Sequence, residues 1–167
     1  KHRQSLHYLA YAHYAERDSL HALAALMNAI SHADAVQCDN CRQAISSLGG
    51  EYSSPTTLPT HFTNHADHIA YALRDKNYTH STLFPPAIEQ ALKDNNRYVA
   101  RMLTWCHASD TKQIFLLQQF LYQEVTHARF RVCPVCGNIS WEPISPRHCP
   151  HCMTDSVRFV VFAYPEM

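Results

Sequence analysis

Charge of one sign is what this sequence most lacks. Fourteen Lys and Arg balance fourteen Asp and Glu, so the formal net charge is zero. That balance implies neither a nucleic acid nor an anionic membrane as a partner. No stretch approaches the ~20 apolar residues of a membrane-crossing helix. Glycine is scarce as well. There are three in 167 residues, two of them adjacent at Gly49-Gly50, where they read as the stop of a long helical run. An even cysteine count is also missing. Seven cysteines with no secretory signal beside them fit a reducing compartment better than a disulfide framework, and a cytoplasmic location is expected. The chain opens at Lys1 with a helical pattern already running, so residues are expected upstream and a targeting signal there is left open.

What is present is concentrated near the C-terminal end. Cys133-Pro-Val-Cys136-Gly is followed, twelve residues on, by Cys149-Pro-His-Cys152. Each pair points two thiolates at one ion, and two such knuckles complete a tetrahedral four-sulfur site. One Fe or Zn ion held by Cys133, Cys136, Cys149 and Cys152 would staple about 35 residues, too few to build a core of their own. A pair of disulfides is the alternative, disfavoured by the reducing context. His148 and His151 flank the second knuckle. Four thiolates already fill the tetrahedron, so these imidazoles are expected to adjust its electrostatics or to meet a partner.

The remainder reads as helices. Tyr8, Tyr11, Ala12 and Ala15 form an i, i+3, i+4, i+7 stripe. Glu16 to Ser19 reads as a turn with Asp18 or Ser19 as N-cap, and a second helix continues to about Leu48. Residues 51–63, rich in Ser, Thr and Pro, read as a linker. A third helix is expected from near Asn64 past Tyr78, kinked or ended by Pro85-Pro86. A fourth runs from Arg97 to Tyr122 after a turn at Lys93 to Asn96. β alternation begins at Phe130, and Val157 to Phe162 reads as a closing strand. The helical part also repeats itself at an offset of 76: Asp34 and Asp110, Gln37 and Gln113, Tyr8 and Phe84, Ala15 and Ala91, Arg17 and Lys93, Asp18 and Asp94, Ala24 and Ala100. Two copies of a helical hairpin make an antiparallel four-helix bundle with a pseudo-twofold axis.

A duplicated hairpin followed by a four-cysteine ribbon resembles rubrerythrin. The likeness is carried by Tyr-x-x-Tyr-Ala-x-x-Ala (8–15), Ala-Leu-Met-Asn-Ala-Ile (25–30), Leu-Gly-Gly (48–50), Thr-Leu-Phe-Pro (82–85) and Ser-Pro-Arg-His-Cys-Pro (145–150). It implies a mainly α chain. An antiparallel ferritin-like four-helix bundle over 1–126 would precede a small C-terminal β zinc-ribbon or rubredoxin-like domain over 127–167. It also implies two irons in the bundle, peroxide reduction, and electrons entering through the four-cysteine iron. The family's bundle ligands are glutamates on the first and third helices and a Glu-x-x-His on the second and fourth.

This sequence departs from that ligand set. The Glu-x-x-His positions read Asp34-x-x-Gln37 and Asp110-x-x-Gln113. The first-helix glutamate falls on Lys1, the third-helix one on Lys76, and an additional one on Thr79. Asp reaches less far than Glu, Gln is a poor iron ligand, and an ammonium repels a cation. Two lysines and two aspartates sum to zero. A metal-free centre is therefore expected, with Lys1 paired to Asp34, Lys76 to Asp110, and the glutamines completing the hydrogen bonds. A solvated polar set away from the axis is the alternative. Glu124-x-x-His127 has the ligand letters but breaks the repeat, and His127 reads as a surface residue.

Three cysteines remain: Cys38, Cys41 and Cys106. Cys41 shares a face with Asp34, and Cys106 precedes Asp110 by one turn, so the two are expected at one level of the bundle. Inert packing is their expected role, against a redox pair or a second metal site. His61, His65 and His68 would line one helix face, solvated sooner than metal-binding. The functional expectation is a protein that keeps the four-cysteine site and lacks di-iron chemistry. It would act as a structural or interaction subunit, a dimer or part of a larger assembly, without enzymatic activity. Against it stand a peroxide-reducing oxidoreductase with an altered bundle site or redox thiols, and an electron carrier working through an iron-loaded ribbon.

Overall fold

The computed structural model of the chain describes residues 1–54, 56, 60–122, 129–143 and 146–164. Glu124 and His127 lie outside these residues. Five helices and three strands follow in order: α1 His2–Arg17, α2 His21–Ser47, α3 His65–Tyr78, α4 Phe84–Lys93, α5 Arg97–Tyr122, β1 Arg129–Val132, β2 Ile139–Trp141 and β3 Val160–Ala163. The helices form two hairpins, α1 with α2 and the α3–α4 pair with α5, as the 76-residue repeat implies.

The repeat extends to the backbone of the turns. Ser19 and Asn95, 76 positions apart, both adopt the left-handed conformation, with φ of 60° and 53°. Ser19 is therefore not the N-cap of α2. That position falls to Leu20, and the Asp18 carboxylate accepts from Arg17 and contacts His65 instead. The second hairpin is capped as its sequence suggests, with the Asn96 side chain accepting from Val99 N–H. α3 begins in the same way, Asn64 accepting from Asp67 N–H. α2 stops where glycine allows it. Gly49 sits at φ +76°, and the N–H groups of Gly49 and Gly50 return to the carbonyls of Ser46 and Ile45.

The expected third helix is two helices joined by a π-helical turn, Thr79–Leu83. Pro85 and Pro86 do not break a helix; they occupy the first turn of α4, where missing N–H groups do little harm. The cost appears one turn earlier. Two residues that cannot donate leave the carbonyls before them without α-helical partners, and the Phe84 N–H bonds the Thr79 carbonyl five residues back.

β1 is the central strand of an antiparallel sheet ordered β2-β1-β3. The closing strand is shorter than expected. Ser156–Arg158 forms a 3-10 turn and β3 starts only at Val160. Phe130, Val132 and Ile139 of the sheet join Tyr8, Tyr11, Leu26, Met27, Ile30 and Leu117 of the bundle in one hydrophobic cluster. The ribbon thus packs on the helices through a continuous core.

Candidate metal centre and bundle core

The two knuckles are built alike. In the first, Cys133 N–H donates to the Asn138 carbonyl and Gly137 N–H to the Cys133 carbonyl. In the second, Cys149 N–H donates to Thr154 and Met153 N–H to Cys149, at the same spacings. Each knuckle ends in a left-handed residue, Gly137 at φ +70° and Met153 at φ 62°. Backbone N–H groups of Val135 and Cys136 point at the Cys133 sulfur, and those of His151 and Cys152 at the Cys149 sulfur. The outcome is four sulfurs all within 4.8 Å of one another, with Cys133–Cys152 at 3.5 Å and Cys136–Cys149 at 3.4 Å. A tetrahedral ion with metal–sulfur bonds of about 2.3 Å has sulfur–sulfur edges of about 3.8 Å, so the set fits a single ion. None of the four cysteines is in a disulfide. Hydrogen bonds to Cys136 and Cys149 pull the Cys133 thiol well below its ordinary range, and those to Cys133 and Cys149 push Cys136 well above it. Among the described residues this is the one group of three or more His, Cys, Asp or Glu side chains placed to hold a metal ion.

Of the two flanking histidines, His148 is exposed and pairs in an isolated β-bridge with Asp155, while His151 is half-buried and its pKa is lowered, chiefly by burial. The first knuckle seats directly on the bundle. The Ser109 hydroxyl donates to the Gly137 carbonyl at 3.0 Å. A Cβ on Gly137 would meet the Ala33 carbonyl oxygen at 2.6 Å, so only glycine permits this approach.

Asp34 and Asp110, one residue beyond Ala33 and Ser109, lie buried at the bundle centre with Lys76 and the Lys1 side chain. Both expected pairs form, Lys1 with Asp34 and Lys76 with Asp110, but neither is exclusive. Lys1 Nζ lies 2.9 Å from Asp34 Oδ1 and 2.6 Å from Asp110 Oδ1. Lys76 Nζ contacts both Asp34 oxygens at 2.7 Å and Asp110 Oδ1 at 2.9 Å. Each ammonium therefore bridges both carboxylates, because the twofold arrangement brings all four groups to one axis. Thr79 Oγ1 donates to the remaining Asp110 oxygen at 2.9 Å. The pseudo-symmetry continues beneath the charges, with Lys1 over the Phe84 ring at 5.4 Å and Lys76 over the Tyr8 ring at 5.2 Å.

The glutamines do not complete this network. Gln113 Nε2 donates to Ser109 Oγ, and the buried Gln37 carboxamide has no hydrogen-bond partner among the described residues. Both are on the side of the bundle that meets the first knuckle. A Cβ on Gly137 would come within 3.0 Å of Gln37 Cγ, and Ser109 binds the Gly137 carbonyl. Cys38 and Cys106 are buried and Cys41 is half-buried. The three histidines do not form a solvated face. His61 precedes α3, His65 contacts Asp18, and His68 is buried and stacked on Tyr11 with ring centroids 4.3 Å apart. The periodicity that placed them on one helix could not show that Tyr11 and Tyr14 of α1 cover that side.

No protein-family model and no curated protein matches the sequence. Solved structures do match in shape. A fully reduced, all-ferrous state of nigerythrin superposes with a TM-score of 0.80 at 17% identity, over 96% of this chain and 81% of that one. A partially reduced state gives 0.82 at 17%, over 96% and 80%, and a mixed-valent state 0.80 at 18%, over 95% and 79%. Helical hairpins, three-stranded ribbon and four-cysteine cluster together give this chain the rubrerythrin-like fold of nigerythrin.

Proposed function

We propose that this chain is a rubrerythrin-like metal-binding protein whose metal centre is the four-cysteine site, and that its bundle holds an ion quartet where the family holds two irons. Cys133, Cys136, Cys149 and Cys152 would bind one Fe or Zn ion. Zinc would only hold the knuckles together, whereas iron would add one-electron redox chemistry. The chain then acts as a structural or interaction subunit, as a homodimer or within a larger assembly, with the bundle over 1–126 and the ribbon over 127–167.

The observation that carries this reading is the contact of both ammonium groups with both carboxylates. A pair of iron cations needs surplus negative charge and free carboxylate oxygens. Here the four side chains sum to zero, and three of the four carboxylate oxygens already face an ammonium. The residues present do not fit a di-iron centre, so no peroxide chemistry is routed through one.

Metal analysis of the chain expressed with iron and zinc both supplied tests this. About one metal per chain is expected, lost in the Cys133→Ser/Cys149→Ser variant. Three metals per chain, two of them a coupled iron pair, would overturn the reading. The same sample identifies the ion: iron gives a visible absorption that bleaches on reduction, and zinc gives none.

A further inference from the structure

The four-cysteine site has a neighbour that its own knuckles do not supply. Trp105, Ser109 and Lys112 stand at i, i+4 and i+7 on α5, so one stripe of that helix faces the ribbon. Trp105 packs against the cluster of Cys133, Cys136, Cys149 and Phe159. The Ser109 hydroxyl holds the Gly137 carbonyl. Lys112 Nζ donates to Asn138 Oδ1 at 2.5 Å. Asn138 is fully buried and belongs to the first knuckle, since its carbonyl accepts the Cys133 N–H at 2.9 Å. The half-buried Lys112 ammonium is therefore anchored two residues past Cys136. Its charge has no ordinary partner. Lys1, Lys76 and Lys93 each meet an Asp or Glu, whereas among the described residues no carboxylate pairs with Lys112. Burial lowers the proton affinity of the amine, and the sulfurs of Cys149 and Cys136 act against that effect. An occupied site would supply the missing counter-charge. Four thiolates around a divalent ion leave two surplus negative charges, and around a ferric ion one. A cation held beside such a centre favours its more negative state.

We propose that Lys112, set in place by Asn138, is the counter-charge of the four-cysteine centre and raises the reduction potential of an iron bound there. This rests on the metal-binding reading above and adds a residue of the bundle to it. Lys112 acts on the ion by its charge, through space. The step it biases takes one electron from an external one-electron donor and turns ferric iron ferrous. No bond breaks and no proton moves, so the whole change is one more negative charge beside the ammonium. The bundle helix that carries Asp110 in the ion quartet thereby also sets the electrostatics of the metal centre.

The test uses the full chain loaded with iron, its midpoint potential followed by visible absorption and its Tm measured in parallel. Lys112→Met keeps the length of the side chain and removes its charge. At a fixed applied potential the ferrous-to-ferric ratio should fall about tenfold in that variant, a drop of about 59 mV for one electron. Lys112→Arg keeps the charge and should stay near the native potential. Asn138→Ala releases the ammonium into solvent. Its potential should fall less than that of Lys112→Met at low salt and approach it at high salt, because a solvated charge is screened. A clamp on the knuckle without electrostatic effect would lower the Tm of Lys112→Met and leave its potential at the native value, and that result would overturn the proposal. Equal shifts in Lys112→Met and Lys112→Arg would overturn it too. A chain that binds zinc but no iron sinks this inference and leaves the four-cysteine reading standing; a chain that binds neither ion sinks both.

Discussion

Burial lowers the proton affinity of Lys76, and the carboxylates of Asp110 and Asp34 oppose that effect. Removing one member leaves a charge stranded where water cannot reach it. Lys76→Met should therefore cost about 3–5 kcal/mol in urea unfolding, the range for breaking a buried pair. Replacing all four charges with apolar side chains of similar volume should cost far less, because no charge is left unpaired. Asp110 adds a pH signature. Burial would raise its carboxyl, but Lys76 and Lys1 outweigh burial and hold it at about 2, against an ordinary 3.8. A carboxyl depressed on folding contributes stability above its unfolded value and loses it as pH falls through the folded one. That contribution, about 2 kcal/mol for such a shift, is full above about pH 4 and gone below about pH 2. Asp110→Asn should flatten the stability curve in that window; an unchanged curve would show that another group governs the acid limb. The four charged residues were legible because they replace ligands in matched positions. Their crossed pairing was not, since letters carry no distances. Nor was the failure of Gln37 and Gln113 to join them, which follows from where the first knuckle presses on the bundle.

At the scale of elements, the π-helical turn lets Lys76 reach the centre despite one extra residue. Most of the repeat runs at an offset of 76, yet Lys1 and Lys76 are 75 apart. One extra residue between Lys76 and Phe84 accounts for the change, and Thr79–Leu83 supplies it. That mismatch was the available signal. The prolines drew attention to the wrong turn, because a π turn has no composition of its own, whereas proline marks only where donors are missing. Deleting the exposed Ser81 should remove the extra residue and leave a continuous α-helix, with Lys76 seven positions before Phe84 as Lys1 is seven before Tyr8. Lys76 should then stay on the carboxylates, and the expected loss of stability is well below that of Lys76→Met. A loss as large as that of Lys76→Met would show that the turn does more than absorb the extra residue.

At the scale of the molecule, the ribbon is tied to the bundle by more than its linker. Phe130, Val132 and Ile139 share a hydrophobic cluster with Tyr8, Ile30 and Leu117, while Gly137 rests against Ala33 and Ser109. The Cys-x-x-Cys spacings made the metal site legible, because the ligands of each knuckle are local in sequence. The docking was not legible. It depends on which faces of α2 and α5 stay uncovered once the hairpins have paired, and on a glycine whose role is to let a helix carbonyl come close. This arrangement predicts how the two parts melt. A ribbon stapled by its ion but standing apart would lose structure on chelation and leave the bundle transition in place. A ribbon whose strands complete the bundle's core cannot do so, since loosening the knuckles uncovers Val132 and Ile139 and removes apolar contacts from α2. Stripping the ion under denaturing chelation, or with the Cys133→Ser/Cys149→Ser variant, should therefore lower the Tm of one cooperative transition followed by helical circular dichroism. A bundle transition at its original temperature, with only the ribbon signal lost, would show that the shared cluster carries no coupling.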